Sequence, residues 1–212
     1  MKLEKYVELL TPITESDLPG YDAQLQMLAR PRKPINFPNS PETAIPAAVL
    51  ILLHKTANDV EFYLTERTDS VEHHKGQISL PGGVQEKNES LPDAARRETW
   101  EEIGIDTEKI KILIPLTSLY VPITGFKIHP FVGWINSGHA INTEPREVKK
   151  LYSIGIQNLL DSNNLANETR IIRGYEVMVP FFRFSECEVW GATAMILAEF
   201  RQLLLNLESE LT

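Results

Sequence analysis

The chain has 212 residues, with 21 Lys and Arg against 29 Asp and Glu, a formal net charge of −8. Hydrophobic content of 42% and charged content of 24% sit near the averages for globular chains, which excludes wholesale disorder. The acidic balance excludes a nucleic-acid backbone as the main partner, because phosphate neutralisation takes clustered Lys and Arg.

The single cysteine, Cys187, can form neither an internal disulfide nor a thiolate zinc site, so a reducing, cytoplasmic setting is expected. The longest apolar runs, such as Ile45 to Leu53, fall short of the roughly 20 residues that cross a bilayer. The opening MKLEKYVELL interrupts its apolar residues with Glu4 and Glu8. No membrane contact and no signal peptide are expected.

Residues 1–43 read as an N-terminal arm. Short helices are predicted at Leu3 to Leu10 and Asp22 to Ala29. The following RPRKPINFPNSPE contains Pro31, Pro34, Pro38 and Pro41, which forbid regular ladders. From Ala44 the texture changes, and residues 44–212 read as one domain. IPAAVLILL and VEFYLTE predict two strands, joined as a hairpin through turn-forming Asn58 and Asp59. A polar loop then ends at Pro81-Gly82-Gly83. A helix is predicted over Leu91 to Ile103, with Pro92 in its first turn and Gly104 where it stops.

Further strands are predicted at Ile110 to Leu119, Pro130 to Ile135, Thr169 to Arg173 and Glu176 to Phe184, and a short helix at Ile156 to Leu160. A last helix is marked by Ile196, Leu197, Phe200, Leu203, Leu204 and Leu207, whose helical spacing reads as a core stripe. Strands between helices make a mixed α/β domain with helices covering a sheet.

The chemistry is concentrated in GGVQEKNESLPDAARRETWEEIGI, Gly82 to Ile105. Glu98, Glu101 and Glu102 stand at i, i+3 and i+4, on one helix face and a turn apart. A hard divalent cation converts that repulsion into a binding site, since Mg²⁺ and Mn²⁺ take oxygen ligands. Glu89 precedes the helix, where its dipole favours a carboxylate. A Glu89–Arg97 pair would clamp the loop to the helix and orient the ligands. The glycine pair lets backbone approach closely or offer a carbonyl to the metal. An acidic helix face is most often merely solvated; the complete spacing sets this one apart.

These residues resemble the signature box of the Nudix hydrolases, G-x5-E-x7-R-E-U-x-E-E-x-G-U with U apolar. Gly83, Glu89, Arg97, Glu98, Glu101, Glu102, Gly104 and Ile105 fall at its positions, and Thr99 replaces the usual aliphatic residue. A second likeness lies just upstream. YLTERTDSVEHHKGQISLPGG is similar to a segment of the coenzyme A pyrophosphatase subgroup, with Leu64, Thr65, Arg67, Gly76, Pro81, Gly82 and Gly83 matching. Glu72 there reverses the charge of an arginine in the pattern. EVWGATAMIL and TEPREVKKLYSIGIQNLLD are similar to later segments of the same subgroup.

The resemblance implies a Nudix-like αβα sandwich with a mixed β-sheet. It implies a metal-dependent hydrolase in which Glu98, Glu101, Glu102 and a backbone carbonyl at Gly82 hold Mg²⁺ or Mn²⁺, and in which water attacks phosphorus. The cation would polarise phosphoryl oxygens and lower the pKa of a bound water. Arg97 would orient Glu98, with Glu89 behind it. The general base would be Glu98 in the box or Glu147 outside it, although Glu147 also reads as a plain surface charge. Arg67, Gly76, Gly82 and Gly83 are candidates for substrate contact. Arg67 reads equally as a structural ion pair with Glu66 or another acid.

The implied partner is a small-molecule nucleoside diphosphate derivative, with coenzyme A or acyl-coenzyme A leading. NADH, ADP-ribose, a nucleotide sugar or a dinucleoside polyphosphate is the enzyme alternative, and a non-catalytic nucleotide-sensing domain the alternative of another class. Nothing in the sequence sets the oligomeric state, and a homodimer stays open.

Overall fold

The run that opens at Ile45 becomes the organising strand of the protein, β2 (Ile45–Lys55). Its residues alternate between two cores. Ala48, Leu50 and Leu52 enter one apolar cluster, while Ile51 and Leu53 enter another. A strand that buries both faces reads as a continuous apolar run, because neither side is left for polar residues. β3 (Val60–Arg67) follows by a tight connection and pairs antiparallel with β2 from Leu53↔Phe62 to Lys55↔Val60. Phe62 and Leu64 face one cluster and Tyr63 the other. The computed structural model describes residues 2–33, 40–57, 59–68, 77–136 and 139–209, so the predicted turn residue Asn58 lies outside the described residues, as do Pro34 and Pro38 of the arm.

The main sheet is completed by β4 (Ile78–Ser79), β5 (Gly82–Val84), β6 (Lys111–Pro115), β7 (Leu119–Val121), β8 (Phe126–Trp134) and β9 (Val148–Gly155). The order is β4-β3-β2-β8-β6, with β5 on β2, β7 on β8 and β9 on β3. β2 and β8 run parallel and the other pairs antiparallel, so the sheet is mixed.

Helix α3 (Leu91–Ile103) lies on one face of this sheet and packs Ala94, Ala95 and Ile103 against Ala48, Leu50, Leu52, Tyr63 and Phe131. The opposite face carries α5 (Ala192–Ser209), α4 (Ile156–Leu160) and α1 (Leu3–Leu10). The stripe of Ile196, Leu197, Phe200, Leu203, Leu204 and Leu207 is buried there beside Leu3, Tyr6 and Leu10. This is an α/β sandwich, helix–sheet–helix, with a mixed sheet as the resemblance implied.

A second sheet of four strands joins β1 (Arg30–Pro31), β10 (Leu165–Ile172), β11 (Tyr175–Arg183) and β12 (Glu188–Trp190); Pro31, expected to forbid a ladder, thus ends a two-residue strand on β11. The second helix of the arm is shorter than predicted. α2 covers Gly20–Gln24, and a 3-10 turn at Leu25–Met27 completes it. The strand predicted over Ile110 to Leu119 is broken between β6 and β7. The strand β9 is not predicted at all. Among the described residues, no helix is long and apolar enough to cross a membrane.

Candidate active site

The loop–helix segment is built so that each end is closed. Ser90 caps α3 by accepting from the Asp93 amide at 3.3 Å, and Gly104 ends it in a left-handed turn, φ +73°. The carbonyls of Glu102 and Ile103, which a helix end leaves unpaired, accept from the amides of Glu144 and Asn142 at 3.0 Å each. The segment after β8 is thereby stitched to the helix, and it runs on to Glu147. Thr99, the departure from the box, is fully buried and satisfies its hydroxyl by donating to the Ala95 carbonyl at 2.7 Å. It fills an aliphatic place without leaving a polar group unpaired.

Arg97 gathers the carboxylates. Its Nε and Nη2 donate to the two carboxylate oxygens of Glu89 at 2.9 and 3.1 Å, and Nη2 also reaches the Val84 carbonyl at 3.0 Å. Its Nη1 donates to Glu98 at 2.8 Å and to Glu101 at 2.9 Å. Asn88, at φ +67°, turns the chain so that Glu89 meets the helix again. The fork geometry explains why an arginine stands here: a lysine has the charge but not the bidentate clamp. The Arg97 hydrogen bond holds the Glu89 carboxyl below its ordinary range.

The glycine pair is required by close approach. A Cβ on Gly82, whose φ is +153°, would stand 2.3 Å from the Ala48 carbonyl oxygen; one on Gly83 would stand 2.5 Å from the Glu98 carboxyl. β5 therefore lies tight between β2 and the helix, with the Glu98 head resting on bare backbone.

Glu102 is 4% exposed and accepts from the Thr65 hydroxyl at 3.3 Å. Burial pushes its carboxyl up to about 8; Arg67 opposes this, while Glu98 and then Glu147 add to it. Glu98 is raised as well, by burial first, with Glu101 and Glu147 adding and Arg97 opposing. Glu147 is exposed at the start of β9, and its charge reaches both box glutamates. Arg67 sides with Glu102. Its neighbour Glu66, on the opposite face of β3 as alternation demands, bonds to Lys149 at 2.6 Å and to the Tyr152 hydroxyl at 2.6 Å. Of the structural reading of Arg67, a pair with Glu66 or another acid, the Glu66 pairing is not made, and the acid whose charge Arg67 offsets is Glu102. Among the described residues the buried Arg67 Nε has no hydrogen-bond partner.

Of the residues singled out in the sequence, Glu89, Arg97, Glu98 and Glu101 are in direct contact. Glu102, Arg67 and Glu147 surround them electrostatically. Gly76, together with Glu72, His73, His74 and Lys75, lies outside the described residues. Cys187 is half-buried, and burial pushes its thiol up to about 11, as expected of a small apolar side chain. Thr65 stands in a matched motif, yet only its contact with Glu102 suggests a role.

A polar network goes unsignalled by the sequence. His54 stacks on Tyr63 at 4.1 Å and bonds to Ser153 at 3.0 Å, and the Tyr63 hydroxyl meets His139 at 2.7 Å.

Among the described residues, no three His, Cys, Asp or Glu are already drawn together as a metal cage, because Arg97 holds Glu98 and Glu101 while Glu102 turns to Thr65. The donor set nonetheless fits a hard divalent cation. The donors are carboxylate oxygens, and two of them are crowded and buried enough to resist ionisation without further positive charge.

A family model described as the NUDIX domain matches residues 44–168. The uncharacterized Nudix hydrolase NudL of Photorhabdus laumondii is 30% identical over 140 residues, covering 66% of this chain and 74% of that one. The NudL of an Enterobacter strain is 32% identical over 157 residues, 72% of this chain and 79% of that one. The mitochondrial Nudix hydrolase 15 of Arabidopsis thaliana is 29% identical over 162 residues; the alignment covers 71% of this chain but 55% of that protein. Among solved structures, an Ap4A hydrolase of C. elegans in a binary complex aligns with a TM-score of 0.45 at 23% identity, over 52% of this chain and 80% of that one. A MutT protein from Methanosarcina mazei aligns at 0.47 and 18% identity, over 80% and 96%.

Proposed function

Since the chain belongs to the Nudix hydrolase family, we propose that it is a divalent-metal-dependent pyrophosphohydrolase whose substrate is coenzyme A or acyl-coenzyme A, cleaved to phosphopantetheine and adenosine 3′,5′-bisphosphate. The observation that supports this reading is the meeting of two sequence likenesses in one place. Thr65 and Arg67 come from the upstream segment similar to coenzyme A pyrophosphatases, and both act on Glu102, the most buried carboxylate of the box.

In this reading Glu98, Glu101, Glu102 and the Gly82 carbonyl hold Mg²⁺ or Mn²⁺, which when bound supplies Lewis-acid polarisation of the phosphoryl oxygens. Arg97, anchored on Glu89, sets the direction of Glu98. Arg67, whose buried Nε has no hydrogen-bond partner among the described residues, offers donors to a phosphate oxygen. Water forms the new bond to phosphorus, the anhydride P–O bond breaks, and the water proton passes to a carboxylate. Glu98 and Glu147 are the two candidates to take it. The N-terminal arm, residues 1–43, is read as packed on the hydrolase domain at 44–212, and the compartment as the cytoplasm.

The test is a panel of coenzyme A, acetyl-coenzyme A, dephospho-coenzyme A, ADP-ribose, NADH and dinucleoside polyphosphates, assayed with Mg²⁺ or Mn²⁺ and after chelation. The coenzyme A species are expected to rank first, with no cleavage after chelation. Preference for ADP-ribose, NADH or a dinucleoside polyphosphate would move the substrate reading to that compound. Equal activity of wild type and Glu102→Gln would remove the metal-ligand assignment. Glu72→Arg, which restores the subgroup's charge, is expected to raise kcat/KM on coenzyme A.

A further inference from the structure

The smaller sheet has an open edge. Among the described residues β10 pairs only with β11, in unbroken register from Leu165↔Phe182 to Ile172↔Tyr175. Exposed edges are normally blunted by proline, charged side chains or a bulge; the eight residues LANETRII have no proline, lysine or bulge, and their two charges, Glu168 and Arg170, are of opposite sign. The strand also carries exposed apolar side chains at its two ends. Ile171 is 70% exposed, the most exposed large hydrophobic among the described residues, and Leu165 is 38% exposed.

We propose that this edge pairs antiparallel with the β10 of a second copy of this chain, giving a dimer with its two-fold axis at Thr169. The register follows from symmetry and charge. A two-fold axis normal to a continuous sheet keeps each side chain on its own face, so opposed residues are an even number of positions apart. The axis must then pass through a residue, and the central choices are Glu168, Thr169 and Arg170. An axis at Glu168 sets two carboxylates opposite each other, and an axis at Arg170 two guanidinium groups; both arrangements are destabilising.

At Thr169 the strand is complementary to itself. Glu168 faces the partner's Arg170, and Arg170 faces the partner's Glu168. On the other face Ile171 lies diagonal to the partner's Leu165, within reach across a strand pair, so exposed apolar side chains cover each other twice. In the single chain Arg170 leans across β11 toward β12, and the dimer adds the partner's Glu168 to its contacts. It bonds to Glu168 at 2.5 Å and to Glu188 at 2.9 Å, and its guanidinium lies 4.9 Å from the Phe181 ring centre.

Sedimentation velocity on the full chain at tens of micromolar is the first measurement, with a dimer of the 24.0 kDa chain expected. Glu168→Arg and Arg170→Glu, checked for folding by circular dichroism, should each sediment as monomers, and mixing the two should restore a dimer, because every cross-strand pair then has opposite charges. Thr169→Cys in a Cys187→Ala background should form an intermolecular disulfide on mild oxidation, since directly opposed Cβ atoms are about 4.5–5.5 Å apart. Asn167→Cys in the same background should not, because four positions of offset separate its two copies by about 13 Å. A monomeric wild type, a dimer that survives Glu168→Arg, or equal cross-linking through positions 167 and 169 would overturn the proposal.

Discussion

The carboxyl group of Glu98 occupies the space that a side chain on Gly83 would need, with its Cδ 2.5 Å from the place of a Cβ there. The obstacle is the free end of a side chain and not backbone, so Gly83→Ala should displace the carboxylate and leave the fold standing. The expected result is a loss of about 10–100-fold in kcat/KM with little change in melting temperature. Gly82→Ala is the contrasting case. Its Cβ would meet the backbone of Ala48 and Val49 at 2.3 and 2.6 Å, from a φ of +153°. That variant should lose stability, by about 1–3 kcal/mol from backbone strain alone, in a urea titration.

Arg97→Lys separates charge from geometry. The lysine keeps the positive charge and gives up the fork that joins Glu89, Glu98 and Glu101. Activity should fall about 10–100-fold, with a raised requirement for Mg²⁺ or Mn²⁺ in a metal titration. Wild-type behaviour in both would mean that the clamp has no part in placing the carboxylates.

His54 predicts a pH dependence of stability. Burial, with His139 second, holds its imidazole at about 4 against an ordinary 6.5. Between those values the unfolded chain binds a proton that the folded chain refuses. The contribution is therefore present above pH 6.5 and is lost as the pH falls toward 4. Its size is at most about 3 kcal/mol. His54→Phe keeps a ring against Tyr63 and should flatten the dependence of urea midpoints across this window.

Gln24 reaches from the arm into the body. Its Nε2 donates to Glu199 at 2.7 Å and to the Thr117 carbonyl at 2.8 Å, and Glu199, fully buried on α5, also accepts from the Thr117 amide at 3.1 Å. Gln24→Ala strands a buried carboxylate and should cost about 1.5–3 kcal/mol, read as a lowered midpoint of thermal unfolding.

The parts of the fold that show in the sequence are those whose signal is local. The β2 run, the core stripe of α5 and the complete box spacing each announce an element within about two dozen residues or fewer. β9 does not, because Lys149 and Lys150 break its alternation. Both are exposed, and their ammonium groups bond to Glu66 and Glu186. The site shows the same division. Glu89, Arg97, Glu98 and Glu101 lie within one short segment, and their contacts follow from helix geometry. Thr65 beside Glu102, Glu147 near both, and the cluster of His54, Tyr63, His139 and Ser153 depend on strand register between segments far apart in the chain. No periodicity in a single sequence encodes that register, and that Arg67 lies toward Glu102 rather than Glu66 follows from the face of β3 on which it falls.

Arg97 has a consequence for how the molecule matures. Three glutamates within one turn of α3 would by themselves oppose formation of that helix, and in many small metalloproteins the chain cannot fold until its ion arrives. Here the Arg97 guanidinium already pairs with Glu98 and Glu101 of that turn and ties them to Glu89, while Glu102 turns to Thr65. The fold is therefore expected to form before any ion is loaded. Chelation should silence the enzyme reversibly, with its melting curve little displaced.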